Sequence, residues 1–357
     1  MSGFKIKDVL MELSAATGVS GDEGAAIDVA ARYFRQYTDR VKRDRFGNLI
    51  AFKEGKLPAG EPRFSLALAA HIDEIGAMVT QIARGGFLRF TAIGGIDPRT
   101  LLGQAVVVHG RTPLKGVVGA LAPHLLAERE RRKELTLEKL YIDVGLSEAE
   151  AREQVRVGDL ISLDQEPVLL NGEKCCAGKA MDNRAGVAVL LQCAAELASM
   201  QHRADLYFIA TVQEEVGLRG AVTAAYGVSP DLAVAVDVTH GAAPGLPDHE
   251  VHSLGKGPVI AIGPNIHPAL GEKLHALAQS YRLPYQIEPV AGNTHTDAWA
   301  FQVSREGIPT ALVSVPLRYM HTAVELLNLD DLIAAGQLLA FLSRSLDGAF
   351  WEGLSCY

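Results

Sequence analysis

Four short apolar runs along the chain stop abruptly at charged or imidazole side chains. Residues 64–70 (FSLALAA) run into His71-Ile72-Asp73-Glu74, and residues 206–212 (LYFIATV) into Gln213-Glu214-Glu215. Residues 232–236 (LAVAV) end at Asp237-Val238-Thr239-His240, and residues 309–315 (PTALVSV) lead to His321 a few positions on. Each run has strand length, and together they are rich in β-branched and small apolar residues. That pattern predicts strands covered on both faces, as in a sheet packed between helix layers. Amphipathic spacing predicts helices over 5–15, 23–37, 187–200, 268–280 and 326–346. Ser20 or Asp22 is the expected N-cap of the second of these.

From about residue 75 to 163 the texture changes. Short β-like runs (77–82, 87–92, 105–108, 116–118, 140–144 and 160–163) alternate with Gly and Pro turns. This predicts an inserted β-rich domain over 75–164, within a discontinuous α/β domain formed by 1–74 and 165–357. The charged stretch 128–133 reads as a solvated surface. So do His249 and His252, on a Gly- and Pro-rich loop over 241–257.

Composition narrows the choice of function. The chain has 357 residues, 48% hydrophobic and 21% charged, with a formal net charge of -8. There is no Lys/Arg-rich tract with interleaved aromatics, so no nucleic-acid partner is expected. No apolar stretch is long enough to cross a bilayer, and the amino-terminal segment lacks the apolar core of a signal peptide, so a cytoplasmic protein without a membrane partner is expected. Cys175, Cys176, Cys193 and Cys356 contain no Cys-x-x-Cys pair and read as reduced, packed thiols. Gly178-Lys179 lacks the spacing and the Ser/Thr of a phosphate loop.

The candidate chemistry lies where the four runs end. In open α/β sheets, function gathers at the carboxyl ends of the strands. Bringing these ends together puts His71, Asp73, Glu214, Glu215, Asp237 and His321 in one place, joined by Asp182 near the start of the 187–200 helix. A solvated carboxylate pair at a turn is the bland reading of Glu214-Glu215, but four similar endings argue against it. So many carboxylates in one cleft require cations. Imidazole and carboxylate without thiolate suit zinc or cobalt, with manganese possible. Two metal ions need a bridging carboxylate, for which Asp182 is the candidate, and further ligands, for which His71, Asp237, Glu215 and His321 suffice. Glu214 remains as a general base, and Asp73, two residues from His71, is placed to fix its ring. Adjacent Glu214 and Glu215 can share a site only if the backbone turns there, and Gly217 is consistent with that turn.

These stretches resemble a known family. His71-Ile72-Asp73-Glu74-Ile75-Gly76, Lys179-Ala180-Met181-Asp182-Asn183-Arg184, Glu214-Glu215-Val216-Gly217, Asp237-Val238-Thr239-His240, Thr296-Asp297-Ala298 and Arg318-Tyr319-Met320-His321-Thr322 are similar to those of the tetrahedral (TET-type) di-metal aminopeptidases. That family includes glutamyl and leucyl aminopeptidases and some relatives labelled endoglucanases. The resemblance implies a phosphorylase/hydrolase-like three-layer α/β/α catalytic domain with an inserted, PDZ-like β-barrel dimerisation domain. It also implies dimers assembling into a tetrahedral dodecamer, and peptide substrates with a free N-terminus. By the same resemblance, His71, Asp182 and Asp237 hold one metal and Asp182, Glu215 and His321 the other. Glu214 acts as general base on a water activated by both metals, Asp73 orients His71, and the Asp182-Asn183 bond is cis. This chain carries Asn293-Thr294-His295 where relatives more often have glycines, on a segment that the resemblance places along the substrate pocket. Arg318, His295 and Arg184 would be available to an acidic substrate side chain, or be structural. Two other readings are a di-metal deacylase or carboxypeptidase, and an oligomeric scaffold without turnover.

Overall fold

The computed structural model describes residues 4–131, 133–170 and 172–354, so Arg132 and Cys356 lie outside the described residues. An eight-stranded mixed sheet forms the centre. Its order is Arg40–Arg43, Leu49–Lys53, Asp205–Thr211, Ser65–His71, Leu232–His240, Thr310–Leu317, Val259–Ile262 and Gln286–Pro289. The four middle strands of the eight are parallel to one another, so their carboxyl ends share one edge. The four runs that end in polar residues are these four strands.

The period-2 alternation of a strand explains the layering. Leu66, Leu68 and Ala70 join one core cluster with the helices Ile6–Ala15, Gly24–Phe34, Met181–Glu196 and Leu329–Ser345. Ala67 and Ala69 face the other way, against Ala221, Ala224 and Ala225 of the helix Arg219–Val228 and Phe301 of the helix Asp297–Gln302. Small residues let these helices approach the sheet closely. At Gly186 a Cβ would stand 2.9 Å from that of Ala70 and 2.3 Å from the Asn183 side chain. The result is the expected three-layer α/β/α arrangement.

Strands Gly76–Ile82, Leu88–Ile93, Leu140–Asp143, Pro113–Ala120, Ala105–His109 and Leu160–Leu163 close into a six-stranded antiparallel barrel. The barrel has its own apolar core, including Val79, Leu88, Val108 and Ile142. A third, small sheet joins Val168–Leu169, Cys175–Gly178 and Glu325–Asn328.

Several expectations are corrected. The closing helix starts at Leu329, because residues 325–328 pair as a strand with 175–178 and Asn328 caps the helix by accepting from the Asp330 N–H. The helix expected over 187–200 spans Met181–Glu196, with a short 3-10 turn after it. Neither Ser20 nor Asp22 caps the Gly24–Phe34 helix; the Ser20 hydroxyl donates instead to Asp73. His249 is exposed, but the His252 side chain is only 13% exposed and stands 3.7 Å from Glu288. Among the described residues no helix is long and apolar enough to cross a membrane.

Candidate active site

At the shared edge the strands deliver their terminal side chains into a crevice of about 660 Å³. Pairing of the Ser65–His71 and Leu232–His240 strands stops at Ala69↔Ala235, and two residues further each strand presents His71 and Asp237. Beyond the Asp205–Thr211 strand the chain turns sharply through left-handed positions at Gln213, Gly217 and Leu218. That turn lets the neighbours Glu214 and Glu215 both line the crevice. Asp182 and His321 come from outside the parallel strands, and the Asp182-Asn183 peptide is cis.

The geometry centres on Asp182. Its Oδ1 lies 3.0 Å from His71 Nε2, and its Oδ2 lies 3.4 Å from His321 Nε2. His71 Nε2 also faces Glu214 and Asp237, each at 3.9 Å, and His321 Nε2 faces Glu215 Oε1 at 3.4 Å. Ligand atoms of His71, Asp182 and Asp237 lie within 4.8 Å of one another, as do those of Asp182, Glu215 and His321, and those of His71, Glu214 and Glu215.

Asp73 sits behind this front. It is fully buried, lies 3.5 Å from His71 Nδ1, and accepts from the backbone N–H groups of Glu214 and Glu215 at 3.0 and 3.2 Å. One carboxylate therefore holds the turn that carries the two glutamates and stands against the imidazole, whose Nδ1 makes no hydrogen bond. Sequence reasoning missed Glu325, a second carboxylate that holds the backbone carrying site residues. Its buried carboxylate accepts from the Asp182 N–H at 3.0 Å and from the His321 N–H at 2.8 Å. Glu325 stands just before the run 326–346 that was read as helix, where only Asn328 marked the true start. Asp297, also buried, accepts from the Thr211 hydroxyl, and its Oδ1 has no hydrogen-bond partner.

The electrostatics are those of crowded negative charge. Burial, with Asp237, Asp297 and Glu215 nearby, pushes the Glu214 carboxyl up to about 9, although His71 pulls the other way. Burial, with Asp182 and Asp297, drives Asp237 well above the carboxylate range. The Asp182 and Glu215 carboxylates, each 3.4 Å from its Nε2, raise His321 to about 11. Burial opposes a charge on the His71 ring, but Glu214, Asp182, Asp73 and Asp237 raise its proton affinity well above the ordinary imidazole value. The donor set fits divalent cations, since it consists of imidazole nitrogens and carboxylate oxygens. Moreover, the buried Glu215 Oε1 aims into the crevice without a hydrogen-bond partner. A second cavity of about 600 Å³, lined by residues 262–268 and 306–310, holds none of these side chains.

Residues 47–338 match the family model described as M42 glutamyl aminopeptidase. The chain belongs to the M42 aminopeptidase family. It is 36% identical over 329 residues to a lysyl aminopeptidase of Pyrococcus furiosus, covering 91% of this chain and 92% of that protein. A TET aminopeptidase from a marine-sediment thaumarchaeote superposes with a TM-score of 0.92 at 33% identity, covering 98% and 99% of the two chains. Pyrococcus horikoshii TET1, a peptidase that assembles into a tetrahedron or a large octahedral shell, gives 0.83 at 34% identity over 96% and 100%. As an M42 member the chain is a peptidase, a hydrolase of peptide bonds.

Of the three groups considered for an acidic substrate side chain, only His295 lines the crevice of this M42 chain. Arg184 is buried, donating to the Leu13 and Ile72 carbonyls and to Glu74, and Arg318 donates to the Ala242 carbonyl. Asn293 and Thr294 also line the crevice.

Proposed function

We propose that the chain is a metal-dependent aminopeptidase that removes the amino-terminal residue of peptides with a free N-terminus. The observation that carries this reading is Asp182 between two histidines, one oxygen toward each. His71, Asp182 and Asp237 would hold one divalent ion, and Asp182, Glu215 and His321 a second, with zinc or cobalt favoured and manganese possible. When bound, such ions polarise the scissile carbonyl and make a water more acidic.

The chain's own residues supply the proton traffic. Glu214 is the one carboxylate at the crevice front that this ligand assignment leaves free. It takes a proton from the attacking water as the oxygen bonds to the carbonyl carbon. It then gives that proton to the leaving nitrogen as the C–N bond breaks. Asp73 stands against the His71 ring and, through two backbone bonds, holds the turn that carries Glu214.

Glu214→Gln tests the assignment. With metal content at two ions per chain and the fold intact, turnover should fall at least about 10²-fold, the scale of a lost general base. Full turnover would remove Glu214 from the mechanism. A peptide and its N-acetylated twin separate this reading from a deacylase, since an aminopeptidase spares the blocked peptide.

In the same reading, residues 1–74 and 165–357 form the catalytic domain and 75–164 the dimerisation barrel, with dimers building a tetrahedral dodecamer in the cytoplasm. Support comes from the assembly of the P. horikoshii relative and from exposed apolar side chains on the barrel's connecting segments, Leu121 at 53% and Leu125 at 64%. The family description names glutamyl and one relative lysyl, so family membership leaves the preferred residue open.

A further inference from the structure

The crevice contains one more carboxylate than the proposed chemistry uses. Five carboxylates line it, Asp182, Glu214, Glu215, Asp237 and Glu288, and among the described residues neither a lysine nor an arginine does. Two divalent ions would offset the first four. Glu288 comes from the edge strand Gln286–Pro289 and has no share in either proposed ligand set. Its side chain is 27% exposed and so open to the crevice.

Its place relative to the site follows from strand geometry. Thr239 and Asp237 lie two residues apart on one strand and therefore on one face, on the order of 7 Å from each other. The Thr239 hydroxyl donates to Glu288 Oε1 at 3.0 Å, which puts that carboxylate within about 10 Å of Asp237. Such a span suits a substrate whose amino-terminal residue lies at the ion-binding front with a long side chain reaching toward Glu288. The flexible four-carbon stem of lysine is such a chain, and arginine is similar. Burial works to raise the Glu288 pKa, but the His252 ring at 3.7 Å and the hydrogen bond from Thr239 outweigh it and hold the carboxyl below its usual range. An anion is therefore present at neutral pH. An acidic substrate side chain would meet like charge there, and Arg184 and Arg318 are committed elsewhere.

We propose that Glu288 makes this site selective for peptides with a basic amino-terminal residue, by pairing with the substrate's side-chain cation. This rests on the aminopeptidase reading above. It makes Glu288 a specificity determinant, not a proton carrier. The Thr239 hydroxyl fixes the orientation of its carboxylate.

The test compares kcat/KM for lysyl, arginyl, leucyl and glutamyl p-nitroanilides on the metal-loaded enzyme and on Glu288→Gln. The wild type should favour the two basic substrates over leucyl by roughly 10- to 100-fold, the worth of one charge-assisted hydrogen bond, with glutamyl the poorest. Glu288→Gln should lower the lysyl-to-leucyl ratio by a similar factor. Preference for leucyl or glutamyl, or an unchanged ratio in the variant, overturns the assignment. An equal fall for all four would mean that Glu288 anchors the α-ammonium group instead. Hydrolysis of leucyl without a basic preference defeats this inference alone, whereas hydrolysis of none defeats the aminopeptidase reading with it. Should the variant fail to fold, product inhibition of the wild type decides: free lysine should inhibit more strongly than free leucine, and the reverse order overturns the proposal.

Discussion

Asp237 and Glu214 are carboxyls whose surroundings keep a proton on them when no cation is near. For a metal ion to bind, the proton on its ligand Asp237 must leave, so binding and deprotonation are linked. The sign follows from the direction of the shifts: the proposed ligands Asp237, His71 and His321 all hold their protons more tightly than usual, so metal affinity of the stripped protein should climb with pH through neutrality. Calorimetry at pH 7 in buffers of different ionisation enthalpy should register protons released on metal addition. Affinity independent of pH would contradict this. At this scale much was legible in the sequence, because His71, Glu214, Asp237 and His321 each follow an apolar run that announces itself. Glu325 was hidden by Leu326 and Leu327, whose apolar side chains fit strand and helix equally. His252 was misplaced because its side chain stands against Glu288 of a later strand, a contact no local pattern reports.

Between elements, the site depends on how the Met181–Glu196 helix meets the Ser65–His71 strand. A fully enclosed ion cluster joins them: Lys179 Nζ reaches Glu74 at 2.7 Å and Arg184 reaches it at 3.2 Å, while the Gly18 N–H donates to the same carboxylate at 2.9 Å. Each of these three side chains is at most 3% exposed. Burial holds Lys179 down to about 8 despite the pull of Glu74. Glu74→Gln leaves two cations without a counter-charge, a change that costs roughly 3–5 kcal/mol when a buried pair is broken. Urea denaturation should show that loss in midpoint, and metal affinity should weaken as well, because Asp182 lies between Lys179 and Arg184 on the same turn. A midpoint within about 0.5 kcal/mol of wild type, the range of ordinary surface changes, would show the cluster to be idle. The sequence showed both halves of this junction but not their contact. Glu74 and Lys179 are 105 residues apart, and only the sheet order brings them together.

For the whole molecule, the alternation of Gly and Pro turns after residue 75 made the inserted β-rich region legible. Closure into a barrel came from the family resemblance and not from the pattern, because it depends on pairing Ala105–His109 and Gly76–Ile82 with the late strand Leu160–Leu163. The exposed Leu121 and Leu125 are the proposed contacts between copies. Light scattering on the wild type should give twelve chains, and Leu121→Glu with Leu125→Glu should give a smaller species. An unchanged mass in the double variant would move the interface elsewhere. The central claim is that two divalent cations make so much buried negative charge tolerable. The direct measurement is reconstitution of chelator-stripped protein with zinc or cobalt, following bound metal and aminopeptidase activity together. The account predicts an inactive stripped protein, saturation at two ions per chain and full activity only at the second. Full activity in the stripped protein, or saturation at fewer than two ions, would contradict it.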